Sequence, residues 1–94
     1  MVYRIKDYTY NQANRLGVKV YPSKRKNKKL DVFSDDHKYY LCSIGDIRYK
    51  DYPTYIEDEG QKIADEHRLA YRRRHYKELD KVGSPGWFAS LLLW

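Results

Sequence analysis

The hydrophobic period of this chain switches from strand-like to helical at Asp51-Tyr52-Pro53, and that switch limits the architectures open to it. Upstream, apolar and polar residues alternate, the pattern of half-buried strands. Val18-Lys19-Val20-Tyr21 reads as a strand ending at Pro22, Lys29 to Ser34 as a second, and Lys38 to Ile44 as a third ending at Gly45. Asp35-Asp36 supplies a turn between the last two, so the expected sheet is a three-stranded antiparallel meander with residues 24–29 at one hairpin tip. Ahead of it, Asp7 to Gly17 predicts a short helix. Asp7 or Thr9 caps its start, Ala13 and Leu16 face inward, and Gly17 suits a left-handed stop.

Downstream the spacing becomes helical. Thr54 and Glu57 stand three apart like a capping box, Pro53 marks the start, and Gly60 breaks or bends the chain beyond it. Gln61 to about Asp80 reads as one long charged helix. On a helical wheel Ile56, Ile63, Ala64, His67, Ala70 and Tyr71 share an arc about 120° wide, which makes His67 a core residue. Leu69, Tyr76 and Leu79 form a weaker seam nearly opposite. Ser84 can cap, and Pro85 can open, a short C-terminal aromatic helix with Trp87, Phe88, Leu91 and Leu92 on one face. The expected fold is α+β over one domain, residues 1–94: a short N-terminal helix, a three-stranded antiparallel meander, a long charged helix and a short aromatic helix.

Mean hydropathy is −0.94, so the core must be thin, and the eleven tyrosines have to supply much of it. A 16% aromatic content argues against a disordered chain. A single cysteine, Cys42, excludes an internal disulfide and a cysteine-based zinc site, and its apolar setting suggests a buried thiol. The first residues lack the apolar core of a secretion signal, and the apolar stretch from Trp87 to Trp94 is far short of the roughly 20 residues that span a bilayer. The expectation is a protein that is neither secreted nor membrane-embedded.

Charge is arranged in blocks beneath a net +6. Residues 1–50 carry twelve Lys and Arg against five acids, residues 51–66 one lysine against six acids, and residues 67–81 six bases against two acids. Two basic blocks are candidate phosphate contacts. One is Lys24, Arg25, Lys26, Lys28 and Lys29; the other is Arg68, Arg72, Arg73 and Lys77, in which Arg68/Arg72 and Arg73/Lys77 are pairs four apart on the expected helix. Contacts of this kind are blind to sequence and weaken with salt. The plain alternatives are a solvated loop tip and a helix whose acids precede its bases in the order that suits the helix dipole. Tyrosines beside cations, in 48–52 and 71–76, can stack on bases, although most tyrosines in a small domain cap its core.

Catalysis finds no support in the sequence. His67 and His75 stand eight apart, which is not the four-residue clamp of helical zinc sites. Asp35-Asp36-His37 is foremost a turn. Asp51, Glu57, Asp58 and Glu59 are acidic neighbours whose side chains would splay around a helix axis rather than converge on a metal. No phosphate loop, dinucleotide fingerprint or nucleophile elbow occurs, so no catalytic residue, metal site or cofactor is assigned.

Three stretches carry a family resemblance: Gly45-Asp46-Ile47-Arg48-Tyr49-Lys50-Asp51-Tyr52-Pro53-Thr54-Tyr55, then Ala64, Arg68, Tyr71 and Arg74-His75, then Gly83-Ser84-Pro85-Gly86-Trp87-Phe88-Ala89 to Leu92-Leu93-Trp94. In these the chain resembles a family of small basic proteins encoded by large double-stranded DNA viruses of algae and protists and by related marine viruses. The resemblance runs over residues 1–94 and is densest over 45–94. It implies a viral setting, in the virion or inside the infected cell (nucleus or cytoplasm), and supplies no catalytic residues.

The resulting expectation is a non-enzymatic viral protein that binds nucleic acid, DNA first, through the phosphate backbone for genome packaging or protection. Its rival is a minor capsid or cement-type structural protein. That protein would use Trp87, Phe88, Leu91, Leu92 and Trp94 as an interface with viral structural proteins or with further copies of itself.

Overall fold

A computed structural model describes residues 3–94 and has the α+β class the periods predict. The elements are α1 (Asp7–Leu16), β1 (Val18–Pro22), β2 (Lys28–Ser34), β3 (Tyr40–Asp46), α2 (Tyr52–Glu59), α3 (Gln61–Arg74) and α4 (Pro85–Leu92), with a single 3-10 turn at Tyr76–Glu78. Two compact units divide the chain, Met1–Tyr49 and Lys50–Trp94.

In the first unit, β1, β2 and β3 form an antiparallel sheet in sequence order. Its register puts Val20 opposite Val32, Val32 opposite Cys42 and Leu30 opposite Ile44. Residues directly opposite share a face, so these five, all buried, make one apolar layer. The other face carries Lys19, Tyr21, Asp31, Phe33, Tyr40 and Ser43. A bulge between Val32 and Phe33 pairs Phe33 with Tyr40 and leaves Leu41 as the extra residue. α1 stops at Gly17, whose φ of 72° is the left-handed conformation a glycine takes without penalty. Its N-cap is Lys6, with no side-chain cap; Thr9, expected as a cap, lies inside the helix and is buried.

In the second unit the cap of α2 is Asp51 rather than Thr54. The Thr54 backbone N–H and hydroxyl both donate to Asp51 Oδ1, at 3.0 and 2.7 Å. Thr54 is therefore the donor served by the cap, three residues downstream of it. Gly60, at φ 90° and ψ 166°, separates α2 from α3. The Tyr52 hydroxyl then donates to Asp65 Oδ1 at 2.8 Å and accepts from Gln61 Nε2 at 2.7 Å, tying the two helices together.

Rings form a file along this unit. His67 stacks on Tyr55 at 3.9 Å, Tyr55 lies 6.2 Å from Trp94, and Trp94 stacks on Tyr71 at 4.5 Å, which stacks on His75 at 4.3 Å. His67 is thus exposed and held by a ring, and is not the core residue that helical spacing predicts. α3 ends at Arg74, six residues short of expectation. At His75 the backbone leaves the helix and the Glu78 N–H donates to the His75 carbonyl, closing the 3-10 turn. Tyr76 and Leu79 therefore never join Leu69 on a helical seam. Among the described residues no helix is long and apolar enough to cross a membrane.

Candidate nucleic-acid interface

The β1–β2 hairpin tip is built around one carboxylate. Asp31, buried on β2, accepts from the Ser23 hydroxyl at 2.6 Å, the Ser43 hydroxyl at 2.6 Å and the Lys24 backbone N–H at 3.1 Å. Ser23 Oγ in turn accepts from the Arg25 N–H at 3.0 Å. Asn27 takes a left-handed φ of 68°, and its carbonyl accepts from the Ile47 N–H at 3.1 Å. The tip is therefore a fixed turn. Burial pushes the Asp31 carboxyl up, but the Ser23 and Ser43 hydroxyls, the Lys24 N–H and the Arg25 charge outweigh it and hold the group below its ordinary range.

Lys24, Arg25, Lys26 and Lys28 are exposed on this turn. With Tyr3, Ser23, Asn27 and Ile47 they line an open cleft of about 360 Å³. Among the described residues none of the four is in an ion pair. The nearby acid Asp46 is engaged by Arg48, whose Nη2 lies 2.8 Å from Oδ2; that hydrogen bond above all brings the Asp46 carboxyl down to about 2. Lys29 departs from the sequence expectation. Alternation puts it on the face of Asp31 and Phe33, yet there it is buried, with its ammonium 5.3 Å from the Tyr3 ring, so it is no surface contact.

The second basic block is less uniform than its sequence. The Arg68 guanidinium lies over the Tyr52 ring at 4.9 Å with its Nε buried, a packing role more than a surface one. Arg72 is half-buried, Arg73 and Lys77 are exposed, and none of these three is ion-paired among the described residues. Because α3 ends at Arg74, Lys77 sits in the 3-10 turn and the Arg73/Lys77 pair does not share a helix face.

Of the tyrosines expected to stack on bases, Tyr71 is buried between Trp94 and His75, while Tyr49 and Tyr76 are exposed. Three of the four acidic neighbours have structural roles: Asp51 is a helix cap, and Asp58 and Glu59 both pair with Lys50. His37 Nδ1 lies 2.6 Å from the Tyr21 hydroxyl, and Asp36 accepts from Ser34 and from the Lys38 N–H, which makes that segment a structural turn.

The five expected docking residues of the C-terminal segment are divided between core and surface. Phe88 and Leu92 are buried, as is Leu93, and the Tyr52 N–H donates to the Leu93 carbonyl at 2.9 Å. Trp87, Leu91 and Trp94 are half-buried, Trp94 by its stack on Tyr71. Part of the helix's apolar side thus closes the core of its own unit, while Trp87, Leu91 and Trp94 keep some surface open.

Sequence alternation held one signal that composition conceals. The outward positions Tyr21 and Phe33, joined by Tyr40 across the bulge and His37 from the turn, gather four rings on the sheet face next to the basic tip. Compared with known protein families, with curated proteins and with solved structures, the chain matches none.

Proposed function

We propose that this chain is a non-enzymatic protein that binds nucleic acid through its phosphate backbone, without reading sequence. The observation that supports the reading is the state of the hairpin tip: four exposed cations, none ion-paired among the described residues, on a turn fixed from beneath by Asp31. A preformed cationic loop meets phosphates without first losing loop freedom, and unpaired ammonium and guanidinium groups release counterions on contact. Arg73 and Lys77 are available for further contacts. In the viral setting that the family resemblance implies, such binding serves genome packaging or protection.

The test is a salt series with duplex DNA. If each of the four tip cations neutralises one phosphate, log K should fall against log salt with a slope near −3 to −4, at about −0.9 per phosphate. The K24Q/R25Q/K26Q/K28Q chain should lose most of that slope. A flat salt response, or no binding at low salt, sinks the reading.

A further inference from the structure

We propose that the sheet face bearing Tyr21, Phe33, His37 and Tyr40 is a base-stacking platform, so that the nucleic acid this chain prefers is single-stranded. The inference rests on the backbone-binding reading and adds which form of nucleic acid the tip serves.

The rings lie on the sheet face opposite the apolar layer, yet remain open to solvent, Tyr21 at 37% and Tyr40 at 47%. Phe33 is their centre, with Tyr21 and Tyr40 each 5.7 Å away at steep angles and His37 stacked on it at 4.7 Å. Exposed rings clustered in this way mark an interaction surface more than a fold requirement.

The surroundings specify the occupant. The Arg25 guanidinium lies over the Tyr40 ring at 5.9 Å, so platform and tip meet at one residue pair. A hydrogen-bond chain joins them as well: Tyr40 Oη to Ser43 Oγ at 2.7 Å, Ser43 to Asp31, and Asp31 to Ser23 and the Lys24 N–H. The carboxylate between the two regions is thus buried and satisfied. The exposed acids Asp35 and Asp36 lie in the β2–β3 turn that also carries His37, at the end of the platform away from the tip, where Lys19 pairs with Asp35 at 3.7 Å. Phosphates are favoured at the tip and disfavoured at the far end, while rings between offer flat apolar contact to bases. Duplex DNA hides its bases from such rings; a single strand presents them.

The experiment measures binding of a 20-nucleotide oligo(dT) and of a 20-base-pair duplex to the full chain at fixed salt, by fluorescence anisotropy. Oligo(dT) should bind at least tenfold more tightly. Y21L/Y40L should weaken oligo(dT) binding roughly tenfold or more for each stacking ring lost, while leaving duplex binding and the salt slope within twofold. Y21F/Y40F, which keeps both rings, should stay within about threefold of the parent. Ultraviolet cross-linking of the parent chain to oligo(dT) gives a readout independent of any variant, and the adduct should map to Tyr21, Phe33, His37 or Tyr40.

Equal losses on both probes, no loss, or adducts confined to other residues would overturn the platform. A normal salt slope with any of these results would leave backbone binding standing. Failure of both probes to bind at low salt removes both proposals, and salt-dependent capture of an acidic protein instead would reassign the face.

Discussion

Asp31 decides more about the first unit than any other single side chain, because three donors from two segments, the β1–β2 turn and β3, meet on it. Hydrogen bonds to a charged acceptor contribute about 1.5–3 kcal/mol each, and a buried donor left unpaired costs a comparable amount. Asp31→Asn should therefore lower stability at pH 7 by about 1–3 kcal/mol in urea unfolding, and should weaken nucleic-acid binding by loosening the tip. The sign with pH comes from the depressed carboxyl. Its contribution is present above the unfolded value near 3.9 and is lost as pH falls through the lower folded value. Asp36, lowered chiefly by the Ser34 hydroxyl, and Asp46, at about 2, act in the same direction. The gap between the parent and Asp31→Asn curves should accordingly narrow as pH falls below about 4. A gap that stays constant as pH falls through the acid range would show that shape, and not charge, matters at this position. None of this was legible in the sequence beyond the outward placement of Asp31. Ser23 and Ser43 lie eight and twelve residues away, and only strand register brings them to one carboxylate.

At the scale of elements, local chemistry was readable wherever a single residue type carries the signal. Gly17 and Gly60 ended helices, and Ser84 with Pro85 opened one, the Trp87 N–H donating to Ser84 Oγ at 3.1 Å. Ser84→Ala should cost about 1 kcal/mol, and Asp51→Ala up to about 2 kcal/mol because that carboxylate is buried and serves two donors of Thr54. Urea titration of each variant checks the order; equal losses would contradict it. The extent of α3 was not readable. Basic and apolar residues continue past Arg74 at helical spacing, but the Tyr71–His75 stack and the His75–Glu78 contact at 3.2 Å favour a tighter turn. The basic block suffered the same way: its cations were visible, while the ring beneath Arg68 and the break before Lys77 depended on contacts remote in sequence.

For the molecule as a whole, the use of the C-terminal segment separates a fold element from a docking face. Leu92 is fully buried, so Leu92→Ala should destabilise by about 2–5 kcal/mol, read from tryptophan fluorescence during urea unfolding. A docking face would instead leave stability unchanged and alter self-association. Of the eleven tyrosines only Tyr52 and Tyr71 are buried, while Tyr10, Tyr21, Tyr39, Tyr40, Tyr49 and Tyr76 are exposed, so core capping accounts for fewer of them than composition suggests. Alternation places Tyr21 and Phe33 outward, but their meeting with His37 and Tyr40 depends on strand register and the bulge. Gly60 has a further geometric meaning. Were residues 52–74 one straight rod, Tyr55 and His67 would stand about 18 Å apart at 1.5 Å per residue, instead of in face-to-face contact. The hairpin of helices, and with it the shelf on which Trp94 rests, exists because the chain gives up helicity at one position: any side chain there would have to bear a left-handed backbone, at a cost of about 1–3 kcal/mol, to keep the corner.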